Sequence, residues 1–451
     1  MTKTLFAALC CTVFIMSCSQ KETTSAKVDN IQSKQERLTK AFETIRNQKD
    51  FMGSVTVMHK GKVVFSDSSG FDDISKNTKS TTQSGYLIGS VSKTYTAALV
   101  LKAVEEQKLR LDETVEGFFP TLENGHLISI KNMLQHRSGI ANYTKKGKGF
   151  FNYRTQEQSR DDMLKRILAL GSDFEPDTKA KYSNSNYYLL ALILEKVYQQ
   201  SFDNILREKI TTPLKLTQTF QVDKTVQTQF SYSYKEEQWS LFPASHLSVG
   251  LGAGSIKSTP TEVAIFYNAL FNGQVVSMAL VDTLKQIKNG FGLGIKPIDF
   301  FDHQGFGHGG TFDAYNTIAA YFPDEKLTIV LASNGSNGNF HNIYQQLLKS
   351  YFNQTLIDLP VPPEQLKKYV GTYQLSPEDK YAFSFVVEDG KLAVIFPDGY
   401  TQKMRYEGNS RFYYDQTNAK PVIFQFVDDG ASVIETYGEN GSETIKQKVP
   451  N

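Results

Sequence analysis

The polar and apolar positions of the chain change period several times, and each change marks an element. Leu38, Phe42 and Ile45 in "ERLTKAFETIRNQ" recur at helical spacing, which predicts a helix from about Glu36. "GSVTVMHKGKVVFSDSSGF" alternates on either side of Lys60-Gly61, the pattern of two strands joined by a tight turn. An apolar run follows "IGSVSK" and predicts a buried helix. "ISIKNMLQHRSGI" (128–140) reads as a helix ending at Gly139, and "SNYYLLALILEKVYQQ" (185–200) as a largely buried one. In "GLGAGSIKSTPTEVAIFYNAL" a glycine loop leads into a helix with Thr259 as cap, Pro260 at the first position and Glu262 closing a capping box. "TIAAYF" and "LTIVLAS" read as late strands and "NIYQQLLKSYF" as a closing helix. An early hairpin, helices in the middle and strands again late predict an α+β domain over 36–355, its sheet closed by both ends of the chain segment.

The texture changes beyond that point. Residues 356–365 hold three of the 14 prolines and predict a stiff linker. From 366 to 451 short aromatic and β-branched runs alternate with Asp389-Gly390, Asp429-Gly430 and Asn440-Gly441, the signature of a small all-β domain. At the other end, Lys3 precedes an apolar stretch from Leu5 to Met16, too short to span a bilayer and shaped like a signal peptide over 1–17. Its close, Ile15-Met16-Ser17-Cys18, resembles a bacterial lipobox. That resemblance implies acylation of Cys18, anchorage to a membrane by lipid, and a place in the bacterial cell envelope. Residues 18–35 are polar and predict a flexible tether.

Composition narrows the functional classes. A net charge of +2 across 451 residues gives no basic footprint for nucleic acid. All three cysteines lie in the first eighteen residues, so the body holds together without disulfides. No Cys/His spacing suited to a metal occurs, and neither metal nor cofactor is expected. Gly250-x-Gly252-x-Gly254 lacks the dinucleotide spacing and reads as a backbone loop.

The chemistry centres on Ser90-Val91-Ser92-Lys93. Serine is a preferred helix cap and lysine a good helix former, so an ordinary helix start is the plain alternative. At i, i+3 on a helix, however, the two side chains share a face with Cβ atoms about 5–6 Å apart. A buried lysine loses its proton and serves as base to the hydroxyl. Ser90-x-x-Lys93 occurs once, and no G-x-S-x-G elbow accompanies it. Tyr182-Ser183-Asn184 precedes a buried helix. A phenol beside an ammonium is expected to have a lowered pKa and to shuttle protons. His308-Gly309-Gly310 stands at a strand start, where glycines let a substrate lie against backbone N–H groups.

Together "GSVSKTYTA", "LQHRSGI", "TTPLKLTQT", "FGLGI" and "GHGGTFDAYN" resemble the serine β-lactamase and penicillin-binding protein superfamily. The branch is the class C β-lactamase, D-alanyl-D-alanine carboxypeptidase and esterase group. The resemblance covers roughly 40–350 and implies an antiparallel sheet flanked by helices with an all-helical subdomain. The last domain is similar to a small lipocalin-like barrel. On this resemblance Ser90 is the acylated nucleophile, Lys93 its base and Tyr182 the proton shuttle. Asn184 positions the acyl side chain. His308, Gly310 and Thr311 line the substrate, with the Ser90 and Thr311 N–H groups as oxyanion hole. Small esters, D-amino-acid peptides or peptidoglycan amides are the implied substrates; penicillin hydrolysis and a degenerate binding protein are the alternatives. His308 departs from the lysine usual in penicillin-active members. His136 reads as structural, while Trp239 is left open between pocket lining and loop packing.

Overall fold

The computed structural model describes residues 30–145, 149–222, 230–338, 340–354, 359–414, 422–437 and 442–450. The signal peptide, Cys18 and Asn440-Gly441 lie outside the described residues. The main sheet joins the two ends of the first domain as the pattern predicts. Strand Leu327–Ser336 pairs antiparallel with Phe51–His59, and the sheet runs on through Tyr315–Phe322 and Phe306–Phe312 to the short edge strand Lys296–Pro297. Lys62–Ser69 flanks the other side, across a turn in which Lys60 and Gly61 take φ of +50° and +74°. One short pairing, Tyr232 with Gly335, is parallel.

Alternation along the strands splits the core in two. Val55, Ile329 and Leu331 meet Leu38, Phe42 and Leu347 of helices Ile31–Gln48 and Phe340–Phe352. Val330, Ala319 and Met58 face the helical subdomain, whose centre is made by Ser92–Glu105, Asn184–Tyr198 and Pro260–Phe271.

Several boundaries differ from expectation. The first helix begins at Ile31, inside the expected tether, because Asn30 Oδ1 accepts the Ser33 N–H at 3.0 Å. In 128–140 only Ile130–Leu134 is helical; His136 adopts φ +55° and turns the chain back under the site. Thr259 caps its helix, but Glu262 forms no capping box. Its carboxylate accepts the Gln218 N–H and the Thr219 hydroxyl instead. At the end of the expected linker Pro363–Leu366 is a helical turn, proline standing where its missing N–H costs nothing, and Leu366 enters the second core. From Gly371 onward nine antiparallel strands form a nearly closed, barrel-like sheet. Trp239 lies on strand Gln238–Leu241 against Tyr234, with ring centroids 4.7 Å apart, and packs by Gly335 rather than lining the cleft described next.

Candidate active site

Ser90 sits on a 3₁₀ turn, Gly89–Val91, that feeds directly into helix Ser92–Glu105. Neither turn nor helix uses a side-chain cap, so Ser90 is not a capping serine. Its Oγ lies 3.0 Å from Lys93 Nζ and 2.7 Å from the Tyr182 hydroxyl. Lys93 is wholly buried. Its remaining partners are the Asn184 Oδ1 at 2.7 Å and the Ala253 carbonyl at 2.6 Å, and among the described residues no carboxylate pairs with it.

The three contacts would suit an ammonium's three N–H donors, so it is burial that decides the proton arrangement. In the neutral amine that burial favours, the two carbonyl-type acceptors take both hydrogens, and the lone pair is left for the Ser90 hydroxyl. Burial holds Lys93 well below its ordinary value, and the nearby Lys296 charge adds to the effect. Tyr182 runs opposite to the sequence expectation. Burial pushes its phenol up, against the opposing pull of its hydrogen bond to Ser90. The phenol therefore keeps its proton and donates it to Ser90 Oγ.

Asn184 opens the helix that follows Tyr182. Both ends of its amide are already engaged: Oδ1 accepts from Lys93 and Nδ2 donates to Thr144 Oγ1 at 2.8 Å. His136 supports this corner, its Nδ1 accepting the Ser183 N–H at 3.2 Å and its ring 4.4 Å from that of Tyr182.

Strand Phe306–Phe312 closes the other side. His308, expected at its start, lies inside it, buried, with Nδ1 donating to the Gly309 carbonyl at 2.5 Å. Burial, the largest cause, pushes His308 down to about 3, so the imidazole is neutral with Nε2 as an acceptor. Gly310 and Gly89 let the strand touch the serine turn. A Cβ on Gly310 would stand 2.1 Å from the Ile88 carbonyl and 2.8 Å from the Ser90 nitrogen; one on Gly89 would stand 2.5 Å from the Thr311 nitrogen. Ser90, Asn184 and Thr311 share a cleft of about 180 Å³ with Tyr143, Phe150 and Asp313. Asp313 is locked by Arg154 at 3.1 Å and the Ser245 N–H at 2.8 Å.

All seven candidate residues within the described chain thus gather at one place; His303, in a second His-x-Gly triplet, His303-Gln304-Gly305, lies elsewhere. It stacks on Phe352 and pairs with Glu325. Sequence reasoning missed Thr144, Asp313 and Lys296. Asp313 stands three residues after Gly310 in a quoted motif, a signal that was available; Lys296 carries none beyond its nearness to "FGLGI". Among the described residues no cluster suits a metal ion, and no helix is long and apolar enough to cross a membrane.

Known proteins share this arrangement of elements. The beta-lactamase family profile matches residues 39–349. A teichoic acid D-alanine hydrolase of Staphylococcus aureus is 29% identical over 311 residues, covering 66% of this chain and 75% of that protein. FmtA from Staphylococcus aureus superposes with a TM-score of 0.59 at 26% identity, over 71% of this chain and 90% of its own. In fold, the chain is similar to D-amino acid amidase from Ochrobactrum anthropi (TM-score 0.61, 19% identity, 72% and 99% covered). It is also similar to an octameric penicillin-binding protein homologue from Pyrococcus abyssi (0.64, 21%, 91% and 99%). The chain belongs to the β-lactamase family, within the serine β-lactamase and penicillin-binding protein superfamily, and is a hydrolase of that kind.

Proposed function

We propose that this protein releases small D-amino-acyl groups, D-alanine foremost, from esters or amides through an acyl-enzyme on Ser90. The carrying observation is the double contact of Ser90 Oγ, with a carboxylate-free buried lysine at 3.0 Å and a protonated phenol at 2.7 Å. As Ser90 Oγ bonds to the substrate carbonyl carbon, its proton passes to the Lys93 lone pair. The developing oxyanion is met by the Ser90 and Thr311 N–H groups. The bond to the leaving oxygen or nitrogen then breaks, and the Tyr182 hydroxyl supplies the proton that the leaving group needs. Lys93 returns its proton to Tyr182. A water repeats the sequence on the ester and frees the acid. Asn184 orients Lys93 and keeps one amide hydrogen for the acyl group.

The relatives named for D-alanine esters and D-amino acid amides support the substrate class. So does His308, which offers a neutral acceptor where penicillin-active members carry a cation. The N-terminal pattern supports export and acylation of Cys18, with the enzyme held at an envelope membrane. The test is labelling with a fluorophosphonate followed by mass spectrometry, beside turnover of D- and L-alanyl esters and benzylpenicillin. Label on the Ser90 peptide, preference for the D-ester, and ester kcat/KM above that of penicillin are expected. Label elsewhere, or efficient penicillin turnover, overturns the reading.

A further inference from the structure

Which way the Asn184 amide points decides whether Lys93 can serve Ser90. With Oδ1 toward Lys93, the amide accepts an N–H, and the lone pair of the neutral amine stays with the Ser90 hydroxyl. Turned over, the amide would present N–H groups to Lys93 instead. An amine receives a hydrogen only on its lone pair, so Ser90 would lose its base. The two ends of an amide have nearly the same shape, and packing does not choose between them. Hydrogen-bond polarity does.

The choice traces outward to groups that have no alternative. Asn142 is buried on the loop that follows Gly139. Its Oδ1 faces two backbone N–H groups, that of Asn184 at 3.1 Å and that of Thr144 at 3.2 Å. A backbone N–H only donates, so this end of Asn142 must be its oxygen. The Thr144 hydroxyl lies 3.0 Å from the same oxygen and points its hydrogen there. Thr144 Oγ1 therefore offers a lone pair to Asn184, 2.8 Å away, and the end of Asn184 that meets it must be Nδ2. The other end, Oδ1, is thereby turned to Lys93 at 2.7 Å. Inverting Asn184 would take the Thr144 hydrogen away from Asn142 and leave the set one hydrogen bond short.

We infer that Asn142 and Thr144 are positioning residues, which hold the Asn184 amide in the one orientation that keeps the Lys93 lone pair for Ser90. This rests on the acyl-enzyme reading above and adds to it the origin of the base's alignment. Thr144 also borders the acyl cleft, so action through Asn184 has to be separated from direct contact with substrate.

The experiment follows kcat and KM for the D-alanyl ester of glycerol against pH. Thr144→Val removes the acceptor at nearly constant volume. It should lower kcat by roughly 5- to 30-fold, the worth of one hydrogen bond, with KM little changed. Thr144→Ser keeps the hydroxyl and should restore most of the rate. An acceptor beside an amine favours its charged form, so loosening Asn184 should move the acid limb, set by Lys93, to lower pH. Lys296, His136, His308, Tyr182 and Tyr187 also face Lys93 and are the same in every variant. In an Asn184→Ala background no amide is left to orient, and Thr144→Val should cost nothing further. A loss shared by Thr144→Ser, an unmoved acid limb, or an undiminished loss in the Asn184→Ala background overturns this inference while wild-type hydrolysis stands. Failure of the wild-type protein to hydrolyse the ester or to take label on Ser90 removes the acyl-enzyme reading and this inference with it.

Discussion

Each folded unit buries a lysine, and the two are treated in opposite ways. In the C-terminal barrel Lys446 reaches Asp379 at 3.2 Å, both side chains almost fully buried, and also donates to the Tyr381 carbonyl. Around them the interior is aromatic, with Phe385 against Tyr373, Phe424 and Phe426 at centroid separations of 5.3, 5.2 and 4.9 Å. In the hydrolase domain Lys93 is just as deep but meets only neutral acceptors and a serine. A lysine with a carboxylate holds a fold together. One without is held below its ordinary value by burial, and in the proposed mechanism it serves as a base. Burial alone therefore does not mark a functional lysine; the missing countercharge does.

The largest expected effect is on activity. Ser90→Ala and Lys93→Met should each lower kcat/KM on D-alanyl esters by about 10⁴-fold or more. Because Ser90 caps no helix, Ser90→Ala should cost less than about 1 kcal/mol of stability by thermal unfolding. The two lysine variants sharpen the contrast. Lys446→Met leaves Asp379 only the Leu375 and Tyr381 N–H groups and should cost about 1–3 kcal/mol. Lys93→Met should instead raise stability at neutral pH. The sign follows from the lowered value of Lys93: below its ordinary 10.5 the unfolded chain binds a proton that the native state refuses, so the wild type loses stability as pH falls. The gain from Lys93→Met should then shrink toward pH 10. Equal destabilisation by both substitutions would erase the distinction between the lysines.

Next in size, Tyr182→Phe should cost about 10²- to 10⁴-fold in kcat, and combining it with Lys93→Met should cost far less than the product. Clean multiplicative losses in the rate assay would assign the two residues to separate steps.

A smaller effect separates the domains by pH. All seven histidines lie before residue 342. Buried His308, pushed down to about 3, and buried His136, also lowered by burial, contribute stability that is present above about pH 6.5 and lost as pH falls toward 3. Acid should therefore loosen the hydrolase domain before the barrel, checked by near-UV circular dichroism of the full chain against the separate barrel. The smallest effect is expected from deleting residues 359–451. The buried clusters of the two units share no residue, so Ser90 labelling should persist. A folded but unlabelled truncation would show that the barrel completes the site.

How legible this was depends on the range over which each signal acts. Ser90 and Lys93 are three residues apart, and the late strands and the hairpin at Lys60-Gly61 are set by local period and turn chemistry, so all could be read from the chain. The early end of the 130–134 helix could not. It is imposed by the fold of His136 beneath Tyr182, contacts 46 residues away in sequence. The direction of the Tyr182 shift failed for a related reason: it is set by the burial of the phenol, which only the assembled fold provides. Lys296 and Asp313 gain their positions only when the sheet edge forms. The same holds for Asn184, whose amide engages Lys93 and Thr144 and keeps one N–H before any substrate arrives.

The tight seam between Gly89 and Gly310 has a consequence for divergence. Because neither glycine tolerates a side chain, the serine turn and the strand beneath it form a fixed divider, and the walls on either side can drift independently. Substitutions around Asp313 and Phe150 would reshape the wall on one side, and substitutions around His308 and Gly309 the wall on the other. A lineage, or a laboratory selection, could then exchange one preference at a time while hydrolysis itself continued uninterrupted.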